Sequence, residues 1–534
     1  MKIHQKMKKD ERALKQGNCR LFGMKPFWGS VLLVATMALC GSCADGYESP
    51  DGFDTGVKNQ TLITPDSLTF KVSTDGTQAT ISWPLIMGSK GFLVTMMNID
   101  DAENPVVVDD YDGKLVDGCS MTATIAEDSK YSFSFQAIGD TKRGNRDGEQ
   151  FDTIFSTLVP SICTIPNGSD IYTYLQENPL DSVGGEVAID LEPGGEYTMS
   201  GPVDFQYFNM TFRGNKVKPA IVKMTGNAAF YTYSGLKFKF LRFDMTECTA
   251  TGFLCMSNTN LPDSILSQNL GYMRNGSPIK GIYNILDPIY FSDVWFKNLS
   301  GSFIYDNEVG CAWWNLTVTD CIIQMNNTER TFISFEKKGA GIKYLTIKNS
   351  TIYNICDNST SYFLRFFNQS NANPQKIWGT ANSELSSWNF VLSRVTLSRC
   401  FTGQKWANNI NGTGFGCRFD HTIFYHLYQP FRRILEKGFA AGTSSMKFNF
   451  FYNPDSPTDS DYKRDVNGAP CASLYDPMFE GDVNQELDFT KPNGGVNFTP
   501  LETVIVENNG GDPRWLPKRG SSDMENENSD VEQQ

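Results

Sequence analysis

Histidine is scarce in this chain, and basic residues are outnumbered. Its 534 residues include 3 His, 47 Lys and Arg, and 60 Asp and Glu, for a formal net charge of −13. Eight basic residues and two acidic ones fall in the first 42 positions, so from Cys43 onward 39 basic residues face 58 acidic, a net charge of −19. A surface of that sign repels phosphate, and no basic, aromatic-interleaved stretch offsets it, which excludes nucleic acid as a partner. The same balance disfavours acidic polysaccharides unless calcium or a local Arg/Lys cluster mediates the contact. Long Ala/Leu/Glu/Lys stretches with a 3.6-residue period are scarce too, whereas Phe (38), Tyr (21) and Gly (46) are abundant, so the chain reads as all-β. Beyond Cys43 no Cys-x-x-Cys pair occurs and no cysteine stands at zinc-ligand spacing from a histidine, which disfavours a metal–thiolate site. Cys311, Cys321, Cys400 and Cys417 lie inside strand-like segments and are expected to be buried thiols. A serine-nucleophile elbow and a Walker loop are also absent.

The N-terminal apolar run, Val31 to Leu39, follows basic residues through Lys25 and is too short to span a bilayer, so residues 1–42 read as a signal peptide. The run ends in Leu39-Cys40-Gly41-Ser42-Cys43-Ala44-Asp45, with Cys40 where an aliphatic residue is usual. Small residues before a cysteine resemble bacterial lipoprotein signals, which implies that Cys43 becomes the acylated first residue. Asp45 and the polar stretch Gly46 to Asn59 resemble the export signal and tether (residues 43–59) of Bacteroidetes surface lipoproteins. That resemblance implies a lipid anchor in the outer membrane and display at the cell surface.

Residues 60–163 alternate as a β-sandwich does, in Leu68-Thr69-Phe70-Lys71-Val72, Ala79-Thr80-Ile81-Ser82-Trp83, Phe92-Leu93-Val94 and Tyr131-Ser132-Phe133-Ser134-Phe135. The segment resembles a fibronectin type III domain, with Trp83 as the buried early-strand tryptophan and Tyr131 as the tyrosine near the start of the late strand. After the turn signal Pro166-Asn167-Gly168 the pattern changes. The stretch from Val187 to Tyr197 resembles the opening of pectate-lyase-like β-helices, and five segments of one shape follow. In each, an apolar strand meets a polar residue and a second apolar strand begins; the polar residues are Asp293, Asp320, Asn349, Arg394 and Asp420, at intervals of 27, 29, 45 and 26 residues. Such a period predicts stacked coils, and the polar position predicts a corner with left-handed backbone. Residues 164–517 are therefore read as a right-handed parallel β-helix, and residues 518–534 as a disordered acidic tail.

The arrangement of lipoprotein signal, type III-like module, β-helix and terminal Gly511-Asp512-Pro513-Arg514-Trp515 resembles uncharacterised Bacteroidetes lipoproteins associated with glycan uptake. It implies polysaccharide or oligosaccharide ligands, and other glycan-uptake proteins as partners. The 45-residue interval marks an insertion, and around it lie Trp378, Trp388, Trp406, Arg399 and Lys405, which join ring faces that stack on sugars to cations that bond hydroxyls. These residues are expected to bind carbohydrate without cleaving it. A polysaccharide lyase is the alternative, with calcium on the corner carboxylates and Arg394 as its base; a structural adhesin is a third reading. Glycosidase chemistry of the polygalacturonase type needs clustered aspartates with nearby His and Arg-x-Lys elements, a set the chain lacks. His421 and His426, five residues apart, are read as lying on opposite faces of one strand, which disfavours a paired-histidine metal site.

Overall fold

The computed structural model describes residues 56–181, 184–335, 338, 340–356, 361–366, 374–382, 389–401, 406–408, 415–437, 444–482 and 484–517. The chain divides into two compact units, the first ending at Ser156 and excluding Asp100–Glu103, the second taking those four residues and the chain from Thr157 onward. Cys43, the tether before residue 56 and the acidic tail lie outside the described residues.

The first unit is a β-sandwich. Thr69–Val72, Gln78–Ser82 and Ser120–Thr124 form one antiparallel sheet. In the other, Ser89–Asn98 pairs with Val106–Val107, Lys114–Val116 and Lys130–Gly139, and the last of these pairs with Phe151–Ser156. Alternation at Ser132-Phe133-Ser134-Phe135 turns both phenylalanines inward, because successive strand residues face opposite ways. Trp83 packs 4.7 Å from Phe135 and 5.4 Å from Phe92 as core. The buried Tyr131 hydroxyl accepts a hydrogen bond from the Ala126 backbone N–H at 2.7 Å, five residues upstream, as a tyrosine corner does.

The second unit is a parallel β-helix with three faces. Successive coils lay down parallel strands on a first face at 161–165, 186–191, 209–213, 236–239, 289–292, 316–319, 345–348, 390–393, 417–420 and 445–447. A second face runs from Glu196–Met199 to Ser473–Leu474, and a third from Val203–Asp204 to Ala407–Asn408. Between the first and second faces the chain turns through residues with positive φ: Phe240 (58°), Asp293 (49°), Asp320 (56°), Asn349 (47°), Arg394 (54°), His421 (50°) and Phe448 (53°). Four of the five expected corner residues hold that position. The fifth does not, because Cys417–Asp420 stands in register with Phe390–Ser393, the four residues before the corner in each coil, which puts the turn 27 residues after Arg394 rather than 26. Asp420 pairs with Ser393 and Lys447 on the first face, and His421 makes the corner.

Inside the coils, rings stack. Phe253, Phe303, Phe332, Phe363 and Trp406 follow one another at centroid separations of 6.4, 5.0, 4.9 and 4.5 Å, with interplanar angles of 9°, 7°, 28° and 11°. Offset aromatic pairs add about 0.5 to 1.5 kcal/mol each beyond the area they bury. All ten described cysteines are free thiols, and Cys311, Cys321, Cys400 and Cys417 are buried, since a thiol packs as a small apolar group.

In the later coils the second face turns apolar residues outward, among them Trp295, Ile322, Tyr353, Ile423 and Phe450, and there its outer side is covered by the chain's own C-terminal segment. Ile322 and Tyr353 pack against Leu487, Val496, Phe498 and Trp515, and Ile423 and Phe450 against Ile505. The Gly-Asp-Pro-Arg-Trp motif clasps this segment to the coils. Thr351 Oγ1 donates to Asp512 Oδ2 at 2.8 Å and accepts from Trp515 Nε1 at 2.7 Å, while the Asp512 N–H donates to Thr396 Oγ1 at 3.0 Å. Arg514 bonds Asp512 Oδ2 at 2.9 Å and the Asp320 carbonyl at 2.9 Å. Gly511, at φ 89°, passes so close to the second face that a Cβ there would meet Thr396 Oγ1 at 2.7 Å.

Burial pushes the Asp512 carboxyl up to about 6, against the opposing charge of Arg514. A carboxyl raised in the folded state stabilises fully below its unfolded value of 3.8 and loses that contribution as pH rises through about 6. Urea unfolding of the full chain at pH 5 and pH 7.5 is therefore expected to show a smaller fall in stability for Asp512→Asn than for wild type. Trp515→Ala, which empties the clasp, is expected to cost about 3 to 5 kcal/mol in the same measurement.

Candidate functional site

The inward residues of the first face are Phe, Leu, Ile and Val, so its outward residues form rows of their own. One row runs Asp190, Arg213, Lys239, Ser292, Thr319, Lys348, Ser393, Asp420, Lys447, each residue paired with the next. Two residues earlier on the same strands lie Thr211, Lys237, Tyr290, Thr317, Thr346, Val391, Arg418 and Ser445. These rows carry hydroxyls, amines and guanidinium groups, where the outer side of the second face in its later coils carries Trp295, Ile322 and Tyr353 under a covering segment. At the rows' early end Arg213 Nε pairs with Asp190 at 2.6 Å and Lys237 with Glu186 at 2.6 Å.

The late end gathers a polar cluster. Asp420 accepts from Ser393 Oγ at 2.6 Å and Arg418 Nε at 3.0 Å, and meets His421 Nδ1 at 3.4 Å. Burial alone would raise the Asp420 carboxyl, but hydrogen bonds from His421 and Ser393 and the charge of Arg418 together hold it below the ordinary carboxylate value. An ionised Asp420 fixes the imidazole through Nδ1 and leaves Nε2 as its other ring nitrogen. Ser393 donates to the carboxylate and so is no nucleophile of a serine triad. Phe448 stacks on His421, centroids 5.1 Å apart at 24°, and is 56% exposed. A bulky aromatic with positive φ is strained, and an exposed one adds no core packing in return. Arg394, half-buried, occupies the corner between those of Asn349 and His421.

The tryptophans expected as sugar platforms are placed otherwise. Trp406 is 3% exposed because it ends the ring stack on Phe363, and Trp378 is 0% exposed, edge-on to Phe415 at 6.3 Å. Neither presents a ring face to solvent, so neither serves as a platform in this fold. Arg399 is also buried, at a second positive-φ corner (56°). Trp388 and Lys405 lie outside the described residues. His421 and His426 do not share a strand; they turn the chain at either end of Ile423–Tyr425, and His426 Nε2 reaches Asp455 at 2.7 Å instead. Among the described residues no three His, Cys, Asp or Glu side chains gather as a metal-ligand set. Sequence reasoning missed Phe448, although its spacing of 27 residues from His421 repeats that of His421 from Arg394.

Two family models match the chain. Both describe domains of unknown function, DUF4992 over residues 20–198 and DUF4957 over residues 195–355. No curated protein matches the sequence. Among solved structures the chain is similar to a mutant of AlyGC, a PL6 family alginate lyase, at 10% identity with a TM-score of 0.17. The match covers 67% of this chain and 59% of that one, less than two thirds of its length.

If Phe448 is held in a strained corner, Phe448→Asn relieves the strain, since asparagine tolerates left-handed backbone. Its stability in urea is expected to equal that of wild type or exceed it by up to about 1 kcal/mol.

Proposed function

We propose that this chain is a lipid-anchored, surface-displayed protein that binds glycan chains on the outer side of the first β-helix face, as an accessory of polysaccharide capture. The observation that carries this reading is the exposed Phe448 ring beside the Ser393–Asp420–Arg418–His421 cluster. A sugar ring presents an apolar C–H face that stacks on an aromatic, and hydroxyls that bond carboxylate, imidazole and guanidinium groups. Ser393, Arg418 and Asp420 sit on strands locked in register, and His421 and Phe448 at the corners that end such strands, so binding need not order a long loop first.

A glycan array followed by calorimetry on the ligands found tests the reading. Phe448→Ala is expected to weaken binding on the order of tenfold, the loss of about 1 to 1.5 kcal/mol of stacking. Unchanged affinity would remove the platform. Cys43→Ala is expected to release the protein from the membrane fraction, and its retention there would refute the lipid anchor.

One arrangement favours a second reading, a polysaccharide lyase. Asp420 orients His421 through Nδ1, and Arg394 is its neighbour in the corner row, which pairs a candidate base with a candidate charge neutraliser. Unsaturated sugar ends absorbing in the ultraviolet, lost in both His421→Ala and Arg394→Ala, would replace binding alone with elimination.

A further inference from the structure

On the same face, toward the start of the strand Gly341–Asn354, Lys343 is only 7% exposed. Its ammonium lies 3.9 Å from the centroid of the Trp314 ring and 5.2 Å from that of Tyr344. The Trp314 indole is fixed in turn, since Nε1 donates to the buried Asn284 Oδ1 at 3.4 Å, and Asn284 Nδ2 donates to Ser267 Oγ at 2.9 Å. Among the described residues no carboxylate pairs with Lys343; burial alone acts on the amine, lowering its proton affinity. Two other buried cations of this unit differ, as Arg213 pairs with Asp190 and Arg242 with Asp293. Aromatic faces offset part of the cost of burying an ammonium, but they supply no counter-charge.

We propose that Lys343, Trp314 and Tyr344 form a subsite for the carboxylate of an acidic sugar, so that the glycan bound on this face carries uronic acid residues. The inference rests on the glycan-binding reading above and names the ligand's class. A uronate carboxylate supplies the anion that no described residue offers Lys343, while the apolar face of its ring lies against Trp314 or Tyr344. Toward the corner, Thr317 and Thr346 pair across neighbouring coils with their hydroxyls outward. Lys348, further along the strand, is exposed on the same face and adds a second positive charge on a chain whose net charge is −13. A neutral sugar leaves the buried ammonium without an anion, so the subsite discriminates by charge as well as shape.

The test uses the full chain, with oligogalacturonate and hyaluronan oligosaccharides as probes, each compared by calorimetry with its carboxyl-reduced counterpart. At least one native acidic probe is expected to bind at least about tenfold more tightly than its reduced form, with affinity falling as salt rises. Lys343→Met keeps the apolar stem against Trp314 and is expected to abolish that difference while thermal unfolding shows the chain still folded. If a probe and its reduced form bind equally, or if Lys343→Met leaves the discrimination intact, Lys343 is a packing residue and the inference falls, while glycan binding stands. If neither the probes nor any glycan on the array binds, the glycan reading itself fails. The ligand comparison needs no variant, so a misfolded Lys343→Met would not spare the inference.

Discussion

The parallel register of the coils is the constraint from which the rest of the second unit follows. No coil buries its apolar face alone; each does so against the coils on either side. Because strand side chains alternate with a period of two, register between coils places like residues above one another inside and outside together. The stack from Phe253 to Trp406 is the inner result, and the row from Asp190 to Lys447 the outer one. A slip of one residue would drive the phenylalanines outward and the charges into the core. The surface proposed to bind ligand is thus the reverse side of the same register that builds the core.

The first and second faces share a stack and differ in what covers them. In its later coils the second face is apolar outward as well as inward, and the C-terminal segment supplies the second apolar layer needed there. The clasp that secures it converges on the corner between the two faces, where Arg514 bonds the Asp320 carbonyl and Arg242 joins Asp293 at 3.0 Å. The first face has alternating strands and needs no such layer. Its outward rows keep their polar groups, and this difference makes one face structural and the other the candidate for chemistry.

Carboxyl groups in the two places respond oppositely to their surroundings. Asp512 is sealed under the clasp, where desolvation outweighs its arginine and raises its proton affinity. Asp420 is buried almost as far, yet hydrogen bonds from His421 and Ser393 and the charge of Arg418 reverse the balance and keep it anionic. An anionic carboxylate that still faces partners across an outward row can orient an imidazole and accept from a ligand.

The sequence by itself determined the all-β class, the sandwich, the coil period and the corners at Asp293, Asp320, Asn349 and Arg394, because these depend on alternation and on left-handed backbone that Asn and Asp tolerate. It also marked the Gly-Asp-Pro-Arg-Trp motif without disclosing its purpose. Only the tertiary structure decided which aromatics are buried. Trp378 and Trp406 stand in polar local sequence, but burial is set by what the neighbouring coil places against a ring, and Phe363 lies 43 residues from Trp406 and Phe415 lies 37 from Trp378 along the chain. Phe448 and Lys343 lie in apolar-looking strands and read as ordinary pattern. The exposure of Phe448, and the lack of a carboxylate beside Lys343 among the described residues, emerge only when a residue's spatial neighbours come from coils more than twenty residues away, a relation that no local window of sequence contains.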